Sequence, residues 1–178
     1  RIEKFGLRLQ EGRDYDVVNV EHDERYRDFW QTYHRLTERK GVTESIAKIE
    51  MRRRLTLIGS MLLKKGQVDG LICGTWNTTA IHLHYIDQVI GKRAGATTYA
   101  CMNGLLLPDR QVFLVDTHVN YDPTAEQLAE ITVMAAEEMK RFGIHPKVAL
   151  LSHSNFGSSN QPSAVKMRQT LELLRIQA

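Results

Sequence analysis

Apolar residues recur every three or four positions through five stretches of this chain, and they form short unbroken runs between those stretches. A spacing of three and four places side chains on one face of a helix, so each stretch is predicted to be a helix with a buried stripe. The predicted helices cover about 23–40, 43–65, 79–90, 124–142 and 163–178. The stripe residues are Phe29, Tyr33, Leu36, Ala47, Met51, Leu55, Ile58, Leu62, Leu83, Ile86, Ile90, Leu128, Ile131, Ala135, Met167, Leu171 and Leu174.

Local signals mark where these helices begin and end. Thr43 is a predicted N-cap, and Thr124 forms a predicted capping box with Gln127, because each threonine can accept a hydrogen bond from the first turn. Glycine readily adopts the left-handed backbone that ends a helix. Glycines follow three of the predicted helices, at Gly41, Gly66 and Gly143.

The short apolar runs predict strands. Val148–Leu151 is an unbroken apolar run typical of a strand buried on both faces, and 14–20 and 70–73 are also predicted strands. The runs 97–107 and 112–116 flank a PDRQ turn and predict an antiparallel hairpin. Strands that alternate with helices of this length indicate a layered α/β fold with a mixed sheet. In the first strand, the side chains expected inside are Val17, Val18 and Val20.

A loop crowded with small polar residues, SHSNFGSS at 152–159, directly follows the predicted strand Val148–Leu151. Ligands of open α/β sheets bind beyond the carboxyl ends of the strands, and glycine lets backbone N–H groups approach an anion closely. The loop therefore predicts a site for phosphate or another anion. Because Ser, Asn and Gly are also common turn residues, an ordinary polar loop before a helix is the alternative.

Another loop of this kind, GTWNTT at 74–79, follows the predicted strand 70–73 and leads into a helix. The first N–H groups of a helix lack partners and carry partial positive charge, so they can hold a phosphate or carboxylate. Thr78 and Thr79 could contact such an anion, or one of them could be an ordinary N-cap. Both alternatives stand on the sequence alone.

Few residues are candidates for acid–base chemistry or metal binding. His82 and His84 are two apart in a predicted helix and face different directions, which argues against a metal held by the pair. His153 could hydrogen-bond a ligand or simply be partly exposed. Asp116 could act as a general base, but a structural role in the turn that follows it is favoured. The chain contains neither GxGxxG nor a P-loop.

Composition excludes several classes of protein. Charged residues make up 25% and hydrophobic residues 42%, near the globular average, and a net charge of +3 is too small to indicate nucleic-acid binding.

Cys73 and Cys101 lack metal-ligand spacing, so reduced thiols in a cytoplasmic protein are expected. Every apolar run is too short to span a membrane, so we expect a soluble chain. Because the chain begins with Arg1 and ends in a helical pattern, we expect it to be a piece of a longer one.

Three segments together resemble the phosphate acetyltransferase (phosphotransacetylase) family: GLICGTWNTTAIHLHYIDQVIG, LLLPDRQVFLVDTHVNYDPTAEQLAEI and FGIHPKVALLSHSNFGSS. SHSNFGS together with RLTERKGVT is more similar still to the phosphotransacetylase-like C-terminal domain of bacterial NADP-dependent malic enzymes. The resemblance covers the chain from about Tyr15 onward. It implies the layered α/β/α, two-lobed fold of isocitrate/isopropylmalate dehydrogenase type, with a dimer through the second lobe. Residues 1–78 would be the end of the first lobe, and 79–178 the start of the second.

The resemblance also implies a ligand. In active members CoA thiolate attacks the carbonyl of acetyl phosphate, so acetyl-CoA, CoA or acetyl phosphate is expected, while NADP and a divalent metal would belong to a malic enzyme domain outside this chain. We assign no catalytic residue and no metal ligand. The residues expected to bind the ligand are Thr78, Thr79, Ser152, Ser154, Asn155, Gly157 and Ser158.

Three positions depart from the active enzymes that the chain resembles. Active transacetylases carry Arg where His84 stands, and Thr and Lys where Asn155 and Phe156 stand. Fixed positive charge is thereby lost, and acetyl phosphate should bind less well because guanidinium grips phosphate through two donors whereas neutral imidazole offers one. The family's catalytic Asp, with a neighbouring Ser and Arg, is expected in a later segment.

These departures favour a regulatory and oligomerisation module that senses acetyl-CoA and transmits its occupancy to a malic enzyme domain. An active phosphate acetyltransferase is one alternative, and a purely structural assembly domain is another. The expected partners are a small acyl-CoA or acyl phosphate and further copies of the chain, with neither nucleic acid nor membrane among them.

Overall fold

The structure, a computed structural model, describes residues 2–20 and 22–177. The chain divides into two compact units, the first ending at Gly91 and the second beginning at Lys92. In the described part, no helix is long and apolar enough to cross a lipid bilayer. The elements are α1 (Tyr26–Thr37), α2 (Glu44–Arg53), α3 (Leu55–Lys64), α4 (Thr79–Val89), β1 (Met102–Leu106), β2 (Gln111–Val115), α5 (Ala125–Arg141) and α6 (Pro162–Gln177), with short 3-10 turns at Glu3–Phe5, Glu38–Lys40 and Asn155–Gly157.

Helices α1 to α4 of the first unit pack around one apolar core. Phe29 and Tyr33 of α1 and Met51 of α2 are buried in it, as their helical spacing predicts. Four predicted stripe residues are exposed instead, namely Leu36 and Leu55 in this unit, Ile90 directly after α4, and Leu171 on α6. The stripe therefore predicts the buried face of each helix but not which residues at its margin remain in solvent.

The single helix predicted over 43–65 is wrong, because the chain breaks at Arg54 into α2 and α3. Arg54 has an extended backbone, with φ −114° and ψ 95°. Its Nε lies 3.3 Å from a Glu50 carboxylate oxygen, and its guanidinium stacks 5.8 Å from the ring centre of Tyr85 on α4. The contact between Arg54 and Tyr85 accompanies the break. The spacing of apolar residues over 43–65 does not indicate the break, because Tyr85 is distant in sequence.

The predicted caps and stops are confirmed. The Thr43 hydroxyl accepts a hydrogen bond from the N–H of Ile46 at 3.3 Å, and Thr124 and Gln127 form both bonds of a capping box. Gly41 and Gly143 follow their helices with positive φ, the conformation in which glycine has no steric penalty.

The second unit combines a hairpin with two helices. Strands β1 and β2 pair antiparallel in the register Met102 to Val115, which confirms the predicted hairpin. Helix α5 packs against both β2 and α6. The residues buried in this unit are mostly small, namely Thr98, Ala125, Ala129, Ile131, Ala164 and Thr170.

Three other predicted strands are wrong. The segments 14–20, 70–73 and 148–151 form no strand, although an isolated bridge joins Glu11 and Tyr15. Several side chains expected inside are exposed: Val17 is 60% exposed, and Ile72, Val148 and Leu151 also lie in solvent. Val18 and Val20, by contrast, are half-buried and pack against the core of the first unit, as predicted. A strand requires a neighbour that pairs its N–H and C=O groups, and a short apolar run does not show whether that neighbour is present.

The α/β fold class is confirmed, but the hairpin is the only sheet in the described ranges, so that sheet is antiparallel rather than mixed. The lobe boundary after Thr78 stays a prediction. Helix α4 follows that boundary, yet it packs on α3 and contributes Tyr85 and Val89 to the core of the first unit. The boundary between the compact units follows Gly91, thirteen residues after the predicted lobe boundary, because α4 packs with the first unit.

Candidate functional site

Each of the two predicted ligand loops borders a cavity within its own unit. The first loop, GTWNTT at 74–79, borders the first cavity through residues 74–77. This cavity has a volume of about 380 Å³ and is also lined by residues 53–56, His82 and Tyr85. The second loop, residues 152–159, borders the second cavity, of about 770 Å³, between the segment 148–151 and one face of α6. Both volumes are within the range of small-molecule sites.

The side chain of His82 fastens the first loop to helix α3. Its Nε2 lies 2.5 Å from the carbonyl oxygen of Trp76, and its Nδ1 lies 2.6 Å from the hydroxyl of Thr56. Because a carbonyl can only accept, Nε2 of His82 donates to Trp76, and in the tautomer with its hydrogen on Nε2 the Nδ1 atom accepts from Thr56. The backbone then turns through Asn77, whose φ of 73° is a conformation that asparagine tolerates.

Charges around the first cavity are partly neutralised. Glu50 forms an ion pair with Arg54 and accepts a hydrogen bond from the hydroxyl of Tyr85. Burial, together with this hydrogen bond and the negative charge of Glu50, raises the pKa of Tyr85 to about 12, so the hydroxyl is a neutral donor. Arg53 also lines the cavity, and it makes no hydrogen bond or ion pair within the part of the chain that the structure describes. The cavity therefore has a net positive rim.

The second loop is shaped by its own serines. The Ser152 hydroxyl accepts from the N–H of Ser154 at 3.1 Å, and the Ser154 hydroxyl accepts from the N–H of Ser159 at 3.0 Å. The hydroxyls of Ser154 and Ser158 lie 3.5 Å apart. Some of the N–H groups that the sequence offers to an anion therefore already donate to serine hydroxyls within the loop. These bonds order the loop without a ligand.

An arginine on α6 holds the second loop from the side of the cavity. Arg168 Nη1 donates to the carbonyl oxygens of Gly157 and Ser159, the second at 2.6 Å, and Nη2 donates to the Asn160 side chain at 3.2 Å. Gly157 has φ +70°, and a Cβ there would lie 3.2 Å from the Arg168 side chain. Phe156, with φ 51°, is fully exposed. The loop thus combines a strained backbone with a fixed positive charge.

The predicted ligand residues fall into two groups. Ser152, Ser154, Asn155 and Gly157 line the second cavity, whereas Ser158 does not. Thr78 and Thr79 are exposed and do not line the first cavity. Thr78 is the N-cap of α4, although its side chain makes no capping hydrogen bond. That these residues bind a ligand stays a prediction.

The remaining candidate residues have identifiable contacts. His153 lies 3.1 Å from the hydroxyl of Ser163 and 3.2 Å from that of Ser159, so its ring belongs to the serine network. The favoured structural role of Asp116 is confirmed, because its carboxylate accepts bonds from the N–H groups of Cys101 and of the following turn. In residues 2–20 and 22–177, no group of three His, Cys, Asp or Glu side chains could hold a metal ion.

The pKa of Asp116 follows from two opposed effects. Burial by itself raises the pKa, but hydrogen bonds from Cys101, Asn120 and Val119 outweigh it, so the pKa lies below its ordinary value. The carboxylate is ionised at neutral pH and is a poor general base. Its bonds instead hold the turn that ends the hairpin.

Sequence reasoning missed His82 and Arg168 as residues that hold the two loops. For Arg168 a signal was present, because it interrupts the stripe formed by Ala164, Met167 and Leu171 on α6. A charged residue among cavity-lining apolar residues requires a partner. For His82 the pattern offered no comparable signal, because its partner Thr56 lies 26 positions away.

Comparisons with known proteins identify the family of this chain. The family model for phosphate acetyl/butaryl transferase matches residues 1–178. An NADP-dependent malic enzyme of Salmonella typhimurium is 49% identical over 178 residues, which are all of this chain and 24% of that enzyme. A phosphate acetyltransferase of Synechocystis is 38% identical over 176 residues, which are 98% of this chain and 24% of that enzyme.

The structural comparison gives the same result. EutD phosphotransacetylase from Staphylococcus aureus superposes with a TM-score of 0.81 at 25% identity, over 99% of this chain and 52% of that protein. The chain spans about a quarter of the length of the curated relatives described above. With the family model matching throughout, the chain belongs to the phosphate acetyl/butaryl transferase family.

Proposed function

We propose that this chain is the phosphotransacetylase-like region of an NADP-dependent malic enzyme and that it binds acetyl-CoA as a regulatory ligand. The observation that carries the proposal is the second loop. Its backbone is ordered by its own serines and held by Arg168, and it borders a cavity of about 770 Å³. A preshaped loop with a fixed cation suits an anionic ligand.

Binding without turnover is favoured by the residues at the positions where active enzymes carry positive charge. Phe156 is fully exposed and uncharged where Lys stands in active transacetylases. His84, at the position of an Arg, is exposed and makes an edge contact with the ring of Tyr85 at 5.2 Å between ring centres. Neither side chain supplies the fixed charge that would stabilise a phosphate leaving group.

In the proposed role, the malic enzyme region would oxidise and decarboxylate malate to pyruvate with NADP and a divalent metal. The present region would form homo-oligomers, with a dimer through the second lobe, and report acetyl-CoA to the rest of the cytoplasmic enzyme. Such control requires acetyl-CoA to bind the active and inactive assemblies with different affinity, typically by about 1–3 kcal/mol.

Calorimetry and a turnover assay test this proposal together. We expect acetyl-CoA to bind the chain saturably, and we expect acetyl transfer from acetyl phosphate to CoA to stay at the uncatalysed rate. Gly157→Val should abolish the binding while far-UV circular dichroism stays unchanged. If a folded chain takes up none of acetyl-CoA, CoA or phosphate, an assembly role without a ligand replaces this proposal.

A second candidate function is active phosphate acetyl transfer, favoured by the 38% identity to a phosphate acetyltransferase. In that reaction the CoA sulfur forms a bond to the acetyl carbon, the bond from that carbon to the phosphate oxygen breaks, and a base takes the thiol proton. Turnover of acetyl phosphate well above background in the intact protein would establish this function in place of the regulatory one.

A further inference from the structure

The rim of the first cavity carries a cation and an aromatic ring that the proposed function does not use. Arg53 lines this cavity and has no ion-pair or hydrogen-bond partner among the described residues. Trp76 lines it as well, and its side chain is 73% exposed. Tryptophan is a costly residue to leave in solvent, and it is common where a planar ligand binds.

The ring of Trp76 is presented by a constrained backbone. His82 hydrogen-bonds the Trp76 carbonyl and the hydroxyl of Thr56, which is buried in the first unit. The next residue, Asn77, turns the chain through a left-handed conformation. A ligand that stacks on this ring would lose less loop entropy than on a mobile segment.

Electrostatics on this rim favour an anion. Arg54 is paired with Glu50, and the same carboxylate oxygen, Oε2, accepts the hydroxyl hydrogen of Tyr85, so the charge of Glu50 is offset by Arg54. The guanidinium of Arg53 remains as an unpaired charge beside the cavity. Guanidinium binds phosphate through two parallel hydrogen bonds, which makes it a specific phosphate ligand.

We propose that the first cavity binds a planar aromatic ring that carries a phosphate, as in a purine nucleotide, with the ring on Trp76 and the phosphate on Arg53. An acyl-CoA contains such a group, a phosphorylated adenosine, so the inference deepens the proposed function and rests on it for the identity of the natural ligand. The cavity lies within the first unit alone and can be tested without the second loop.

Adenosine 3′,5′-bisphosphate is the probe for this site, with adenosine and inorganic phosphate as partial probes. The chain has two tryptophans, and Trp30 lies buried in the core, so Trp30→Phe leaves Trp76 as the reporter. We expect the bisphosphate to quench Trp76 fluorescence saturably, and each partial probe to bind at least about tenfold more weakly because it lacks either the stacking or the charge.

Variants assign the two contacts. By calorimetry, Arg53→Gln and Trp76→Ala should each weaken bisphosphate binding about tenfold or more. Arg52→Gln is the matched control, because Arg52 is the neighbour on α2 and lies over the ring of Tyr26 rather than in the cavity. It should bind the probe as the parent does. Circular dichroism establishes that each variant is folded.

The outcomes separate this inference from the proposed function. No saturable binding of the bisphosphate to the folded chain would overturn the inference, as would unchanged affinity in both Arg53→Gln and Trp76→Ala. If acetyl-CoA binds and only Gly157→Val abolishes it, the inference fails and the proposed function stands. If the bisphosphate quenches Trp76 but acetyl-CoA does not bind, the proposed function fails and the nucleotide site stands.

Discussion

The two loops lead into helices in the same way but are held by different chemistry. The first loop is fixed by an imidazole ring, since His82 bridges the Trp76 carbonyl and the hydroxyl of Thr56. The second loop is fixed by a charge, since Arg168 donates to two of its carbonyl oxygens, and by serines that bond one another. In each loop a helical side chain restrains the backbone, and in the second loop the serines of the loop itself do so as well.

This difference indicates how each loop can serve a ligand. The second loop already has a guanidinium beside it, so an anion would meet a positive field on entry. The first loop has no charge of its own, and its cation, Arg53, comes from α2. The first loop therefore positions an aromatic ring, and the second positions backbone and hydroxyl groups around a charge.

The largest expected effect on binding comes from the backbone of the second loop. Gly157→Val should weaken acetyl-CoA binding about a hundredfold or more, because a β-branched residue is strained at φ +70° and its side chain meets Arg168. Calorimetry measures the affinity. Gly95→Val is the control, because Gly95 has φ +84° but open space around a Cβ. Equal affinity in Gly157→Val and the parent would mean that the second loop does not bind the ligand.

Removing the charge that holds the second loop should have the next largest effect. Arg168→Met leaves the Gly157 and Ser159 carbonyls without their donor, and we expect acetyl-CoA binding to weaken about thirtyfold. Hydrogen exchange should rise in peptides covering 152–159. Arg175→Met on the same helix is the control, because Arg175 pairs only with Glu172 among described residues. If both variants behave alike, charge near the loop is not what holds it.

Restoring a positive charge at position 84, near the first loop, tests whether the missing arginine weakens phosphate binding. His84→Arg should strengthen acetyl phosphate binding about tenfold, because guanidinium can form charge-assisted bonds to phosphate. His84→Gln, which adds no charge, should show no gain. Calorimetric titration with acetyl phosphate distinguishes the two, and equal affinities would show that position 84 does not face the ligand.

Loosening the first loop should have a smaller effect on binding. His82→Leu removes both hydrogen bonds, leaves the buried hydroxyl of Thr56 unsatisfied, and should lower the free energy of unfolding by about 1–3 kcal/mol. Hydrogen exchange should increase in residues 74–77, while acetyl-CoA affinity falls only about threefold. His82→Gln, which keeps a donor and an acceptor, should recover part of the stability, and exposed His145→Leu is the control. Unchanged exchange in His82→Leu would contradict the role of His82.

The smallest effect on binding is expected from Asp116, which touches neither loop. Its folded-state pKa is lowered, so its contribution to stability is present above the unfolded pKa of about 3.9 and is lost as pH falls through the folded value. Thermal unfolding should show the parent more stable than Asp116→Asn at pH 7, with the difference shrinking below about pH 4. Asp109→Asn on the hairpin loop is the control. If the parent stays more stable than Asp116→Asn below about pH 4, packing rather than the carboxylate charge accounts for the stability.

Much of the fold was predictable because its signals are local. The caps at Thr43 and Thr124 and the stop at Gly41 act within one turn of a helix, so neighbouring residues suffice to define them. The hairpin was predictable for the same reason, since its strands are joined by a short turn. The site was predictable only as two loops, because loop composition shows which groups are available but not which are already bonded.

The sequence by itself determined the family, the α/β class, the caps and stops of several helices and the positions of both loops, because their signals lie in residues close together in the chain. Tertiary structure alone decided that the helix breaks at Arg54, that 70–73 and 148–151 do not form strands, and which side chains hold the loops. Pairing of a strand and satisfaction of a polar group both require a partner from elsewhere in the chain. The free energy of such a contact is set in three dimensions, and no local pattern records it.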